Sequence, residues 1–270
     1  MMECLSEDFA RELFPPWRSH VAGGGLLERT DTTLRFVNVD TSREHYSNAQ
    51  IDDYQGLPRC RFRWRPPLKL TVKARFSDSC GDGQGVLGGT AGFGFWNDPF
   101  LMTEKRMPAL PRALWFFYSS PPSDMKLDLN VPGTGWKAAT IDALRPAAFL
   151  LVPLALPAAV LMNLPQLYRA CWPPIQKALN IREALVGVAM TEWHTYVIEW
   201  GVEHATFLVD GRPVIESAPA PRGPLGFVMW LDNQMMVVKP WGRFRWGLLE
   251  TPGRQWLEVE RLLVEPQSSG

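Results

Sequence analysis

The stretch Trp230-Leu231-Asp232-Asn233-Gln234, followed by Trp241, puts flat rings beside a carboxylate and two amides. Trp96-Asn97-Asp98 repeats the combination on a smaller scale. Small-molecule pockets pair aromatic walls with a few placed polar groups. Sugars suit such a set, because their C–H faces stack on rings while Asp, Asn and Gln take up hydroxyls. The chain carries 12 Trp. Most large aromatics pack protein cores, so we expect only some of these rings to line a cleft, with Trp96, Trp230 and Trp241 as candidates.

Other chemistries find little support. The 4 His (His20, His45, His194, His204) are dispersed, so neither a zinc site nor a nucleophile–base pair can be read. Cys4, Cys60, Cys80 and Cys171 show no CxxC or metal-ligand spacing and read as reduced thiols. Gly81–Gly89 lacks the Lys-Ser/Thr of a phosphate cradle. We therefore expect no metal and no cofactor. Lys plus Arg (28) equals Asp plus Glu (28), so no global field draws nucleic acid or an acidic membrane. The early acids of the first residues leave no apolar core for a secretory signal, which implies a cytoplasmic protein.

These residues need a β scaffold. Thr195–Trp200 and Ala205–Val209 alternate apolar and polar residues around a polar turn at Gly201–His204, and Asp210-Gly211 stops the second run: a β-hairpin. From Leu34 to Trp96, short β-like runs alternate with turn clusters such as Asp78–Gly89. Leu114–Tyr118 and Met125–Leu129 read as further short strands. Arg59, Arg61, Arg63 and Arg65 alternate and would share one solvated strand face. Ser6–Leu13 suits one short helix capped by Ser6. A length of 270 residues fits a single sandwich domain, residues 1–270, with an N-terminal extension over 1–29.

The hairpin resembles the late strands of the concanavalin A-like β-sandwich in the form used by glycoside hydrolase family 16, whose pattern is W/F-H-x-Y-x-I-E-W, a turn, then F-x-V-D-G. Trp193, His194, Tyr196, Ile198, Glu199, Trp200, Phe207, Val209, Asp210 and Gly211 match in order. Tyr46–Ile51, Leu68–Phe76, Gly89–Trp96 and Trp256–Glu265 are similar to its other strands, so the resemblance spans about residues 30–265. It implies an all-β jelly-roll sandwich in which the strand near Trp230 lies on the cleft side. The family's catalytic strand carries E-x-D-x-E or E-x-D-x-x-E and should fall between Trp96 and residue 145. Leu114–Tyr118 has no carboxylate there, and Met125–Asn130 offers Asp128 alone. The resemblance places Trp115 and Tyr118 where the missing acids would stand. Glu199, Glu258, Glu260 and Glu265 read as outer-face residues and not as substitutes.

One segment interrupts the strands. No charged side chain lies between Arg145 and Arg169, and Ala147–Met162 reads AAFLLVPLALPAAVLM. Pro153, Pro157 and Pro165, together with its place inside one sandwich, oppose a membrane crossing. We expect a helical apolar insertion over 145–188, with a helix in Pro173–Val186, serving as a lid, an oligomer contact or a membrane contact. The candidate ligand set is thus Trp96, Asn97, Asp98, Trp115, Tyr118, Trp230, Asp232, Asn233, Gln234 and Trp241. The function it implies is binding of a carbohydrate, or of an apolar small molecule, without glycosidase activity. An enzyme with relocated acids, and a binder of hydrophobic ligands or membrane surfaces, are the alternatives.

Overall fold

The structure is a computed structural model that describes residues 4–9, 12–13, 15–79, 85–99, 107–149, 164–239 and 243–267. Its strands are β1 (Leu5–Glu7), β2 (Arg18–Ala22), β3 (Gly25–Arg29), β4 (Leu34–Thr41), β5 (Asn48–Asp52), β6 (Leu68–Phe76), β7 (Thr90–Trp96), β8 (Arg112–Ser119) and β9 (Gly135–Asp142). After the helices α1 (Pro146–Phe149) and α2 (Pro165–Ala178) come β10 (Arg182–Leu185), β11 (His194–Trp200), β12 (His204–Val209), β13 (Arg212–Pro219), β14 (Gly226–Asp232), β15 (Gln234–Lys239), β16 (Arg243–Leu248) and β17 (Thr251–Pro266).

Two antiparallel sheets form the jelly-roll sandwich. An eight-stranded sheet runs β13-β12-β11-β6-β17-β4-β3 with β1 beside β17, and a seven-stranded sheet runs β10-β9-β8-β7-β14-β5-β2. Between them, Leu70, Val72, Ile198 and Leu257 meet Leu114, Phe227 and Met229. Ring contacts cross the interface, Phe93 to Tyr196 at 5.4 Å and Phe116 to Phe207 at 5.5 Å. Strict alternation of burial along β6 marks a sheet with one wet face. Strands β7 and β14 are buried at every residue. The second face of the seven-stranded sheet is therefore covered as well, and that cover is where the candidate site lies.

The hairpin forms as expected, with Ile198 opposite Phe207 and Glu199 opposite Thr206. Asp210 and Gly211 turn the chain at positive φ (50° and 74°), the geometry that favours this dipeptide between strands. Other expectations are corrected. Residues Leu5–Glu7 are a strand on β17 and not the start of a helix. Within residues 1–29, the described strands β1, β2 and β3 belong to the sandwich and are not an extension, with β2 and β3 each closing a sheet edge. The four alternating arginines do not share a strand: Arg59–Arg61 is a 3-10 turn, and Arg59 donates to the carbonyls of Asn97, Asp98 and Met107.

Met125–Leu129 is loop and not strand. Side chains hold it in place of a ladder. Trp172 Nε1 donates to the Leu127 carbonyl (2.7 Å), and Glu183 Oε1 accepts the N–H groups of Leu127 and Asp128. The helix expected over Pro173–Val186 lies earlier. Helix α2 ends at Ala178, and Arg182–Leu185 becomes β10, paired with β9. Most of Ala147–Met162 lies outside the described residues, and among the described residues no helix is long and apolar enough to cross a membrane.

Candidate functional site

Strand register assembles the site from β5, β14, β7 and β8. Gln50, Trp230, Gly92 and Phe117 are successive cross-strand partners, so their side chains leave the same face of the sheet. Asp52, Val228, Gly94 and Trp115 form the next row, and Asn48, Asp232, Thr90 and Ser119 the row on the other side. The intervening residues Met229, Phe93 and Phe116 point into the core.

The two glycines explain how large rings fit over the middle strand. A Cβ at Gly92 would stand 2.9 Å from Trp230 Cη2, and one at Gly94 would stand 2.6 Å from the Trp115 Cβ. Their absent side chains are the space the indoles occupy. Trp96 and Trp230 lie with planes 8° apart and centroids 6.4 Å apart, while Trp115 contacts Trp96 (5.8 Å), Trp230 (5.8 Å) and Phe117 (5.5 Å). Trp96, Trp230 and Phe117 are each less than a tenth exposed.

These four rings, with Val228, Met125 and Met236, wall a pocket that opens to solvent. Its polar lining is Gln50, Thr90, Asp232 and Gln234. Thr90 Oγ1 donates to Asp232 Oδ1 (2.7 Å) and accepts from Trp230 Nε1 (2.9 Å), so one hydroxyl links the carboxyl to the indole edge. The Gln234 N–H also reaches Asp232 Oδ1 (3.0 Å). Burial pushes the Asp232 carboxyl up to about 7 against the downward pull of these hydrogen bonds. No basic side chain among the described residues pairs with it. Gln50 Nε2 is turned to Asp52 Oδ2 (2.9 Å).

Met125 is brought to the pocket from a distance. Lys137 Nζ, buried on β9, donates to the carbonyls of Met125 (3.1 Å) and Pro132 (3.0 Å) and to Glu183 Oε2 (3.1 Å). Glu183 in turn grips the next two N–H groups of the loop. Burial raises the Glu183 carboxyl while Lys137 pulls it back down.

Of the candidate residues, Trp96, Trp115, Trp230, Asp232 and Gln234 meet in this pocket. Tyr118 does not: it faces the core and its hydroxyl donates to the Leu87 carbonyl (2.7 Å). Asn97 ties the ends of β7 and β8 together through Leu110 and Arg112. Asp98 is buried at a positive φ of 47°, and its carbonyl receives Arg59. Asn233 is a loop clamp, accepting from the Ser47 N–H and donating to the carbonyls of Ser42, His45 and Leu249. Trp241 lies outside the described residues. Phe117, Gln50, Thr90, Val228, Met125 and Met236 escaped the sequence reading. The signal for Phe117 was present, two residues beyond Trp115 on the same strand face.

The outward positions of β8 are Ala113, Trp115, Phe117 and Ser119, with no carboxylate among them. Asp232 is the one carboxylate of the described lining. Glu258 and Glu260 belong to the far side of the eight-stranded sheet, where Glu258 bonds Arg35 and Arg75 and Glu260 bonds Lys73. Among the described residues no group of His, Cys, Asp and Glu could hold a metal ion.

No protein-family model matches the chain. No curated protein matches it either. Solved structures do. A β-1,3-1,4-glucanase (lichenase) from a mouse hindgut metagenome is 11% identical over 98% of this chain and 99% of its own, with a TM-score of 0.51. The Bacillus licheniformis β-glucanase is 10% identical, covers 98% of both chains and has a TM-score of 0.51. An endo-β-galactosidase from Clostridium perfringens that releases GlcNAcα1-4Gal is 12% identical at a TM-score of 0.52, and the chain spans 96% of itself but 61% of that enzyme. The chain thus has the concanavalin A-like jelly roll of glycoside hydrolase family 16 enzymes, to which it is similar in fold at low identity.

Proposed function

We propose that this chain binds a ligand in the aromatic pocket on the outer face of its seven-stranded sheet and does not cut glycosidic bonds there. The observation that carries this reading is the outward face of β8, which presents Ala113, Trp115, Phe117 and Ser119. A retaining glycosidase needs two carboxyl groups about 5–5.5 Å apart, and the described pocket lining offers Asp232 alone. Rings that stack on C–H faces support carbohydrate as the first ligand class, as does a fold shared with enzymes named for their action on glucans and galactosides.

An apolar molecule is the second reading, favoured by Met125, Met236 and Val228 in the wall. Gln50 and Thr90 also spend hydrogen bonds on Asp52 and Asp232 that a sugar would want. The test pairs a glycan-array and calorimetric binding screen with β-glucan and galactan hydrolysis assays. Saturable binding that is lost in Trp230→Ala, with no turnover, is the expected result. Sustained turnover abolished by replacing one acid would overturn the binding reading.

A further inference from the structure

We infer that the pocket receives an organic cation, an alkylammonium group of the choline type seated among Trp96, Trp115, Phe117 and Trp230 with Asp232 as its counter-charge. The inference rests on the reading of this pocket as the ligand site, and it names a ligand class that the shared fold does not suggest.

Three observations converge. First, ring faces carry negative electrostatic potential and attract cations, most strongly when the site is shielded from water. Here three indoles and a phenyl ring, centroids 5.5–6.4 Å apart, line one pocket. Secondly, that pocket holds a carboxyl, Asp232, only 2% exposed. Buried charges are paired in proteins, and no basic side chain among the described residues pairs with Asp232. A cationic ligand would supply the missing partner. Thirdly, the carboxyl is aimed and not loose: Thr90 and the Gln234 N–H hold Oδ1, and Thr90 joins it to the Trp230 indole. The other described side chains of the wall are uncharged, so a cation meets no repulsion from them. Methyl groups on nitrogen match the apolar surfaces of Met125, Met236 and Val228. A neutral molecule of the same shape would gain the packing and leave Asp232 without a counter-ion.

Charge at this carboxyl makes binding pH-dependent. With its carboxyl pushed up to about 7, Asp232 is largely protonated in the empty pocket below neutrality, and a cation favours the ionised form. Among the described residues, the groups beside it are the Thr90 hydroxyl on β7, Asn48 as its cross-strand partner on β5, the Gln234 backbone, and the Tyr46 phenol before β5. Of these Tyr46 alone titrates, and burial holds its phenol protonated throughout this range. Affinity for the cation therefore rises from pH 6 to pH 8, and affinity for a neutral isostere stays level.

The test titrates the full chain with choline and with its neutral isostere 3,3-dimethylbutan-1-ol, following tryptophan fluorescence and heat at pH 6, 7 and 8. Choline should bind at least about tenfold more tightly at pH 8, and the gap should narrow at pH 6. Asp232→Asn, which keeps an oxygen for Thr90 and Gln234, should abolish the gap. Should that variant fail to fold, Trp115→Leu and the pH series on the unaltered chain decide. Equal binding of the two probes, or a preference that survives Asp232→Asn, overturns the cation assignment and leaves the pocket as an apolar site. No choline binding at 10 mM overturns it too. If a neutral glycan then binds and Trp230→Ala abolishes that, the proposed carbohydrate function stands without the cation. Vesicles of phosphatidylcholine and of phosphatidylglycerol separate the sources: choline bound free but not on vesicles marks a soluble ammonium compound, phosphatidylcholine capture marks a lipid headgroup, and capture by phosphatidylglycerol alone overturns the inference.

Discussion

Trp230 lies across Gly92, close enough that a Cβ on the glycine would come within 2.9 Å of the indole and 2.4 Å of the Phe116 carbonyl oxygen. A side chain is missing from the middle strand so that one from its neighbour can cross it. Gly94 gives Trp115 the same room one row away, at a φ of 153°. The pocket thus depends on two absences as much as on four rings.

Gly92→Ala should therefore act through packing. The Phe116 carbonyl is backbone and cannot yield, so the new methyl group must push the strand or the indole. Overpacking of this kind costs about 1–3 kcal/mol, and we expect a loss of that size in urea denaturation. The indole fluorescence of the native state should shift as well, since Trp230 is displaced. Unchanged stability and an unchanged spectrum would show that the contact is not tight.

Lys137 and Glu183 form an ion pair whose side chains are each 2% exposed. Lys137→Met removes one partner, leaves the carboxylate buried without its cation, and releases the Met125 and Pro132 carbonyls. Breaking one side of a buried pair costs about 3–5 kcal/mol. Adding Glu183→Gln should restore part of that loss, because the neutral amide oxygen can still accept from Leu127 and Asp128. Chemical denaturation of the three variants gives the comparison. A double variant less stable than Lys137→Met alone would overturn this account.

Stability should fall on both sides of mildly acidic pH, for reasons of opposite sign. Burial pulls the Glu258 carboxyl upward, but hydrogen bonds from Arg35, Thr33 and Arg75 prevail and hold it below its ordinary value of 4.5. Its contribution is present above that value and disappears as pH drops through the folded-state pKa. Asp53 behaves in reverse: burial raises it to about 7, against bonds from the Phe227 N–H and the Trp64 indole. The folded state keeps a proton that the unfolded state has lost, so this contribution is complete below 3.8 and vanishes as pH rises through about 7. Denaturation midpoints between pH 3 and pH 8 should show the dome. Glu258→Gln should flatten the acid limb, and Asp53→Asn the neutral one.

Where one face of a sheet is wet, the sequence displays it. Strand β6 and the β11–β12 hairpin alternate cleanly, and their bounds follow the pattern to within a residue or two. Strands β7 and β14 give no alternation because both faces are covered, so the side on which Trp230 and Asp232 emerge depends on register. Tyr118 shows the cost: it sits one residue from Phe117, and that single step turns it into the core. Gln50 and Met125 reach the pocket from 180 and 105 residues before Trp230 in the chain, and no local pattern reports such a meeting. Arg182–Leu185 misled because Leu179 and Leu185 keep helical spacing while pairing with β9 makes the segment a strand.

The ribbon of β15 and β16 extends the same wall. Met236, which lines the pocket, pairs in register with Trp246, so both side chains leave one face of the ribbon. The ribbon is tied to the chain after β8 by the Asp124 N–H on the Met236 carbonyl (2.9 Å) and by the Met236 N–H on Ser123 Oγ (3.3 Å). Trp246 is 51% exposed, a large ring presented to solvent beside an aromatic site. Its removal should cost little stability, within about 0.5 kcal/mol, because few contacts are lost. A ligand long enough to leave the pocket would meet this ring, whereas a short one would not. Trp246→Ala should therefore weaken binding of extended ligands several-fold, since an exposed stacking contact is worth about 1 kcal/mol, and leave short ligands unaffected. Affinities for a homologous series of increasing length, measured on both proteins, test this. An equal loss at every length would place Trp246 in the support of the pocket and not at its outer edge.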